Sequence, residues 1–321
     1  MPKYYLLPKR LAKRAPWTQQ PVWLLEALVF YSLYGLVRLL PFALAAAFLS
    51  RLLGSLGYWN DKKRRVVRRN LEFVLPQLSA ADRDGYVRQV FRCTGLAAAE
   101  LFLLDRLWKH RDRFLEFDVH PEAMQAFERR EAMVFATAHA GAWQLTNLIS
   151  REYGLSISIL YAREANPWLH RFFLQRRRAF GSRLVPSTGG VRELIRELGA
   201  GHSVGAAFDT RIDSGEMIPF FGVPAPTNTT PARLSLRGYP LIPIRCVRLP
   251  GQRYRIEVLA PLAPADPQAG RQEQVRELTL RLNRLFEDWI RESPGDWLCM
   301  KRRWPKDAEP AAGADAQGST S

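Results

Sequence analysis

The chain has 321 residues, 47% of them apolar and 24% charged, with 21 Gly and 22 Pro; this is globular composition, long enough to bury a core without disulfides, and it excludes bulk disorder and collagen-like architecture. Its three cysteines, Cys93, Cys246 and Cys299, form no CxxC pair and have no histidine at zinc-ligand spacing, which argues against a disulfide framework or a structural zinc. The 47 Lys and Arg against 31 Asp and Glu give a net charge of +16, so an anionic partner is expected: nucleic acid, an anionic membrane face, or a phosphorylated or acidic-protein substrate.

Residues 22–57 are strongly apolar, interrupted by Glu26, Arg38, Pro41 and Arg51. The uninterrupted pieces, Ala27–Val37 and Leu39–Ser50, are each shorter than the ~20 residues that a spanning helix needs. Basic residues flank both ends, Lys3, Lys9, Arg10, Lys13 and Arg14 before and Lys62, Lys63, Arg64, Arg65, Arg68 and Arg69 after, whereas a single clean span favours a one-sided bias. The expected arrangement is a monotopic or shallowly inserted anchor broken at Pro41, in preference to a true span or a buried helix pair. The run starts too late and is too long for a cleavable signal peptide.

Helical spacing of Val67, Leu71 and Val74, a turn at Pro76, and Ser79 as an N-cap before Asp82 make residues 61–115 a helical connector. From about 131, short apolar runs alternate with helical stretches. Strands are expected at Met133–Thr137, Ile157–Tyr161, Leu184–Pro186 and Val204–Phe208, with helices at Trp143–Tyr153, Trp168–Phe180 and Val191–Leu198 between them. This is the signature of a largely parallel sheet flanked by helices, an α/β fold carrying an N-terminal hydrophobic anchor. A Pro-, Gly- and Thr-rich loop follows from Asp213 to Thr230, then a short helix at Pro231–Arg237, strands at Leu241–Val247 and Tyr254–Leu259, and a helix at Arg271–Glu292. The expected organisation is a basic N-terminus and anchoring helices at 1–60, a main domain at 61–305 with its α/β core at 131–305, and a disordered tail at 306–321.

One strand ends at His139, followed by a small-residue turn and a helix start. Open α/β sheets place their ligands at this position. An imidazole there can act as a general base near neutral pH, and the free N–H groups of the turn can face a developing oxyanion. A lone histidine at a strand end is more often structural than catalytic, since the geometry of a base has to be shown first.

His139-Ala-Gly141-Ala-Trp143-Gln144 resembles the H-x-G-x-W-[ED] form of the HxxxxD/E motif in the lipid A biosynthesis lauroyl/myristoyl acyltransferase superfamily. The likeness extends to Asn70-Leu71 with Pro76, to Tyr161-Ala-Arg163 with Asn166-Pro167, Arg178 and Gly181, to Asp209 with Pro219-Phe220-Phe221-Gly222, Thr229, Pro231 and Ala232, and to the terminal box Trp297–Trp304. It covers residues 22–305. It implies a cytoplasm-facing enzyme on the bacterial inner membrane that moves an acyl chain from an acyl carrier protein or acyl-CoA thioester to a glycolipid or phospholipid hydroxyl, with no cofactor or metal. His139 would be the base, with backbone N–H groups near Gly141 receiving the negative charge.

Position 144 is Gln where that motif has Glu or Asp. An amide orients an imidazole but supplies no charge, and the analogous aspartate-to-asparagine change in a serine-protease triad cuts turnover by ~10⁴. Three readings stand open: Asp209 supplies the charge from the next strand end, the enzyme runs slowly with Gln144, or the chain is a catalytically retired relative that still binds lipid.

Arg163 is a candidate anion clamp. Trp143, Arg178, Phe220, Phe221 and Gly222 are candidate substrate-binding residues, the last three as an acyl pocket or lid, or equally as a buried turn. Arg176, Arg177 and Arg178 with Phe172, Phe173 and Phe180 suggest a docking face for an acidic carrier protein or for headgroups. Glu100, in the apolar stretch LAAAELFLL, is expected on an exposed face or at the lipid interface. His110, His120, His170 and His202 have no recognisable partners. The sequence contains no P-loop, GxGxxG, GxSxG or HExxH, and no nucleic-acid reader motif accompanies the charge, so no nucleic acid is expected as a partner.

Overall fold

Nine strands form in the computed structural model, which describes residues 15–186 and 190–311. The basic cluster from Lys3 to Arg14 and residues 312–321 of the expected tail lie outside the described residues. Seven strands make one sheet in the order β1-β9-β8-β2-β5-β3-β4. They are β1 (Leu115–Val119), β2 (Val134–Thr137), β3 (Ile157–Tyr161), β4 (Arg183–Pro186), β5 (Ser203–Ala207), β8 (Leu241–Leu249) and β9 (Arg253–Val258). All neighbours run parallel except β8 and β9. Every residue of β2 is buried, which is why the central strand reads as a continuous apolar run: helices cover both faces of a parallel sheet.

Three strands are absent from the sequence reading. The edge strand β1 begins where the expected helical stretch ends, in residues for which no strand was expected; its Leu-Glu-Phe-Asp-Val alternation pairs in parallel with β9. The loop expected at Asp213–Thr230 contains an antiparallel hairpin, β6 (Glu216–Phe220) and β7 (Val223–Thr227). Pro219, Pro224 and Pro226 hide it from pattern reading, since proline weighs against a strand, yet a two-stranded ribbon has only edges and tolerates it. Its two-residue turn places Phe221 and Gly222 at φ 51° and 74°, the left-handed pair that hairpin turns favour.

The N-terminal region is α1 (Gln19–Leu39) and α2 (Phe42–Tyr58), broken at Pro41 as expected. Glu26 does not interrupt α1. It is buried and accepts from the Asn166 side chain, while Arg38 pairs with Asp105 at 2.6 Å. With its two charges engaged by protein groups, α1 runs unbroken for 21 residues, about 31 Å at about 1.5 Å per residue. Among the described residues it is the helix that, taken singly, is long and apolar enough to cross a membrane.

The helices that follow are α3 (Asp61–Val74), α4 (Ala80–Phe102), the short α5 (Leu104–Lys109) and α6 (Arg111–Phe114), and α7 (Pro121–Glu128). Asn60 and Ser79 cap α3 and α4 by accepting from the N–H groups of Lys63 and Asp82. The apolar faces of α3 and α4, including Val67, Leu71, Val87 and Phe91, join one core with Val134, Ala136, Phe286, Trp297 and Trp304. After β2 come a 3-10 segment, Trp143–Leu148, and α8 (Ile149–Glu152), in place of the single helix expected at Trp143–Tyr153. The remaining helices are α9 (Pro167–Arg178), α10 (Gly190–Gly199), α11 (Thr230–Ser235) and α12 (Arg271–Glu292), the last with the bounds that its sequence predicts. Residues 306–311 of the tail are described, and the Ala308 carbonyl accepts from Arg69.

Helices α2 and α4 approach closely because glycine stands at the contact. A Cβ added at Gly95 would overlap the Leu49 carbonyl, and one at Gly57 would overlap the Phe91 ring. Gly95→Ala is therefore expected to lower unfolding free energy by about 1–3 kcal/mol as an overpacking change, despite the helix propensity that alanine adds. Chemical denaturation checks this; a variant as stable as the parent contradicts the packing account.

Candidate active site

Register brings the reacting groups together. Thr137 of β2 pairs with Ala207 of β5, and the Phe208 N–H donates to the Thr137 carbonyl at 2.9 Å. Two residues beyond each paired position stand His139 and Asp209, side by side at the carboxyl ends of adjacent parallel strands. His139 Nδ1 lies 2.7 Å from Asp209 Oδ1, and the same oxygen accepts the His139 backbone N–H at 3.0 Å. The other oxygen accepts the Trp297 indole N–H at 2.8 Å.

Asp209 is 1% exposed. Burial alone would raise its pKa, but the facing imidazole, the indole N–H and the backbone N–H outweigh burial and hold the carboxyl below its ordinary range. For His139, burial disfavours the imidazolium; the Asp209 carboxylate overcomes this, with the Lys301 ammonium opposing, and the net shift is upward. An ionised Asp209 can only accept, so Nδ1 carries the proton it donates and Nε2 is left with its lone pair.

Nε2 belongs to an imidazole in the wall of a cavity of about 850 Å³. The lining includes Phe30 and Leu33 of α1, Ala97 and Leu101 of α4, Trp143 and Phe173. Gln144 also lines it; its amide reaches the Ala97 carbonyl at 3.4 Å, and among the described residues no hydrogen bond joins it to His139. The charge that position 144 lacks thus stands beside the imidazole in Asp209.

The turn after β2 depends on glycine at 141, whose φ is 58° and whose added Cβ would overlap the Cys246 carbonyl. The Ala142 N–H donates to that carbonyl at 2.9 Å. With the His139 N–H given to Asp209, the N–H groups of Ala140 and Gly141 are what the turn leaves, among the described residues, for a ligand oxygen.

Other candidates lie elsewhere. Arg163 and Arg178 are exposed and do not line the cavity, whereas Arg177 does. Phe220 and Phe221 are buried against Trp304; together with Gly222 they form the hairpin turn and stay out of the cavity wall. Of the readings open for this segment, the buried turn is the one that forms, propping the terminal box. Glu100 is not on an exposed face: it is 1% exposed and holds Arg248 at 2.7 and 3.1 Å. Among the described residues no three His, Cys, Asp or Glu side chains gather as a metal site.

The terminal box closes the site from the far side of the molecule. The Leu298 N–H donates to the His139 carbonyl at 2.8 Å. Asn70 on α3 clasps the box, donating to the carbonyls of Cys299 and Lys301 at 2.9 and 2.8 Å and accepting the Arg303 N–H at 3.0 Å. Trp304 stacks on Phe73 with centroids 4.1 Å apart and donates its indole N–H to the Phe220 carbonyl. Asp296, just before the box, accepts from Arg248 and from the Cys93 thiol. Asn70 stands out in the sequence only as part of the motif likeness, because the carbonyls it holds are more than 200 positions away; Asp296 was passed over, with one partner 203 positions away and the other 48.

Trp297→Phe keeps an aromatic ring but leaves one Asp209 oxygen without its donor. An unpaired buried acceptor costs about 1–3 kcal/mol, so a loss of stability in that range is expected on denaturation; an unchanged midpoint would show that the indole bond is not holding the carboxylate.

The family model described as bacterial lipid A biosynthesis acyltransferase matches residues 13–306. No curated protein matches the chain.

Proposed function

The chain belongs to the bacterial lipid A biosynthesis acyltransferase family, and from that premise we propose that it moves a fatty acyl chain from an acyl carrier protein or CoA thioester to a hydroxyl of a glycolipid resembling a lipid A precursor. The observation that carries this reading is the carboxylate-held imidazole of His139 set in the wall of a mainly apolar cavity of about 850 Å³.

In this reading His139 Nε2 takes the proton of the acceptor hydroxyl as its oxygen attacks the thioester carbonyl. Asp209 stabilises the imidazolium that forms and keeps the ring in the productive tautomer. The tetrahedral oxyanion faces the N–H groups of Ala140 and Gly141. Collapse breaks the carbon–sulfur bond, and the departing thiolate recovers the proton from Nε2–H, leaving an ester and a free thiol. The chain's residues supply every proton transfer, with the thioester as co-substrate.

Membrane placement follows from α1. Leu24, Leu25, Leu28, Val29, Leu36 and Leu39 are exposed on it, a continuous apolar surface that water would penalise and lipid would cover. The opposite side packs Phe30 and Tyr34 on Phe102 and Phe172, and Phe30 also lines the cavity. A lipid tail held in the bilayer at α1 is thus one side chain away from the reaction chamber. We place this helix in the cytoplasmic leaflet of the inner membrane. Exposed Arg171 and Arg178 of α9 are the residues left to meet an acidic carrier protein.

Gln144 favours a second reading, a retired relative that binds lipid without turnover, and mass spectrometry of cellular lipids separates the two. Cells carrying the intact chain should gain one lipid heavier by an acyl group, and His139→Ala should abolish it. Asp209→Asn should cut turnover by about 10³–10⁴ by analogy with triad carboxylates, whereas Gln144→Ala should cost less than about tenfold. Matching lipid profiles with and without the intact protein would favour the retired relative.

The base works only when neutral. Because Asp209 raises the pKa of His139, kcat/KM should fall as pH drops through a midpoint above the ordinary imidazole value of about 6.5. Residual activity of Asp209→Asn should show that midpoint at lower pH. A wild-type midpoint below 6.5, or one unmoved in the variant, would detach Asp209 from the base.

A further inference from the structure

A second, smaller cavity of about 260 Å³ lies against the first, with His139, Thr210 and Leu298 lining both. Its wall carries the cationic side chains of Arg211, Lys301 and Arg303. The one carboxylate lining it is Asp209, and both Asp209 oxygens already accept from His139 and Trp297.

Arg303 is the anomaly. It is 2% exposed, and its guanidinium is held by neutral groups: Nη1 donates to the Pro226 carbonyl and Nη2 to the Thr227 hydroxyl, both at 2.8 Å. Its Nε is buried with no acceptor, and among the described residues no carboxylate stands within ion-pair distance of it. Burial, aided by the Arg211 charge, pushes its pKa down to about 10 against the opposing fields of the Asp209 and Glu287 carboxylates. A buried cation is costly unless paired, and this one is kept beside Lys301, an exposed ammonium whose field reaches His139. Arg211 is partly engaged by Asp213 at 2.7 Å, so the cavity retains an excess of positive charge on the side of the imidazole away from the apolar chamber.

We propose that this cavity is a phosphate subsite, in which Arg303, Lys301 and Arg211 hold a substrate phosphate group, with His139 lining both this cavity and the apolar chamber. The inference rests on the acyl-transfer reading, because both substrates of such a reaction offer that chemistry: the thioester donor through the phosphate of its pantetheine arm, and the glycolipid acceptor through a sugar phosphate. Guanidinium forks match phosphate oxygens geometrically, and the pairing is stronger in a site shielded from water. The division of labour is then spatial. The large chamber takes the acyl chain, the small one takes the anion, and His139 forms the wall between them.

Calorimetry on the full chain in detergent micelles tests this with two matched pairs of probes, 4′-phosphopantetheine against pantetheine and glucosamine 1-phosphate against glucosamine. In one pair the phosphorylated compound should bind at least tenfold more tightly than its partner, and the pair that shows this names the source of the phosphate. Lys301→Gln, an exposed change that should leave the melting temperature intact, should remove most of that advantage without altering the dephosphorylated compound's affinity. Arg211→Gln should act in the same direction, and Arg303→Lys provides a third probe if it folds. Equal affinities within both pairs, or an advantage that survives in both Lys301→Gln and Arg211→Gln, would overturn the subsite. Lipid acylation measured on the same preparations keeps the two proposals separate: acyl transfer without phosphate discrimination removes the subsite and leaves the function, while discrimination without acyl transfer leaves the subsite and removes the function.

Discussion

A single buried carboxylate, that of Asp209, organises the molecule. An ionised acid with 1% of its surface exposed is tolerable only if its oxygens are fully satisfied, and the fold meets this with three donors from two distant places. Two belong to His139, delivered by the parallel register of β2 and β5; the third is an indole from the terminal box. Sheet, turn and box must all be in place before the charge is accommodated. The same three bonds fix the imidazole tautomer, so one electrostatic requirement governs both stability and chemistry.

Around this centre, long-range polar bonds replace what a larger apolar core would otherwise do. Asn70 spends its whole amide on the terminal box. Glu100 and Arg248 form a buried pair that reaches on to Asp296. Many of the arginines are paired with acids in this way: Arg38 anchors α1 to Asp105, and Arg245 bridges Glu257 and Glu292. Each ion pair removes one positive and one negative charge together, so the excess of 16 is carried by the basic residues left without an acidic partner.

How much was legible in the sequence follows from the range of the interactions involved. Periodicity located α12 to the residue and the central strands to within a residue or two, because burial pattern is a local signal. His139 was legible from its place at a strand end, and Asp209 from the equivalent place on another strand. That the two strands are adjacent is a topological fact, and the sequence left open which group carries the charge missing at Gln144. The hairpin was hidden by its prolines, and β1 by its short, half-polar alternation at the sheet edge. Glu100 was misplaced because its partner Arg248 is 148 positions away; nothing near it in sequence marks it as paired. Phe220 and Phe221 were chosen for their apolar bulk, which does serve packing, but against tryptophans of the box and not against a ligand.

The indole that completes the Asp209 site comes from a residue 88 positions further along the chain, while α1, with its exposed apolar residues, precedes the whole sheet. During synthesis the apolar helix emerges before the sheet, and the strands emerge with their strand-end carboxylate still short of one donor. Only when Trp297 to Trp304 leave the ribosome can the buried charge be closed over. A chain cut short before Trp297 therefore holds the imidazole and the carboxylate but lacks the indole donor that helps the carboxylate stay buried and ionised, so the site is finished by one of the last segments to be made.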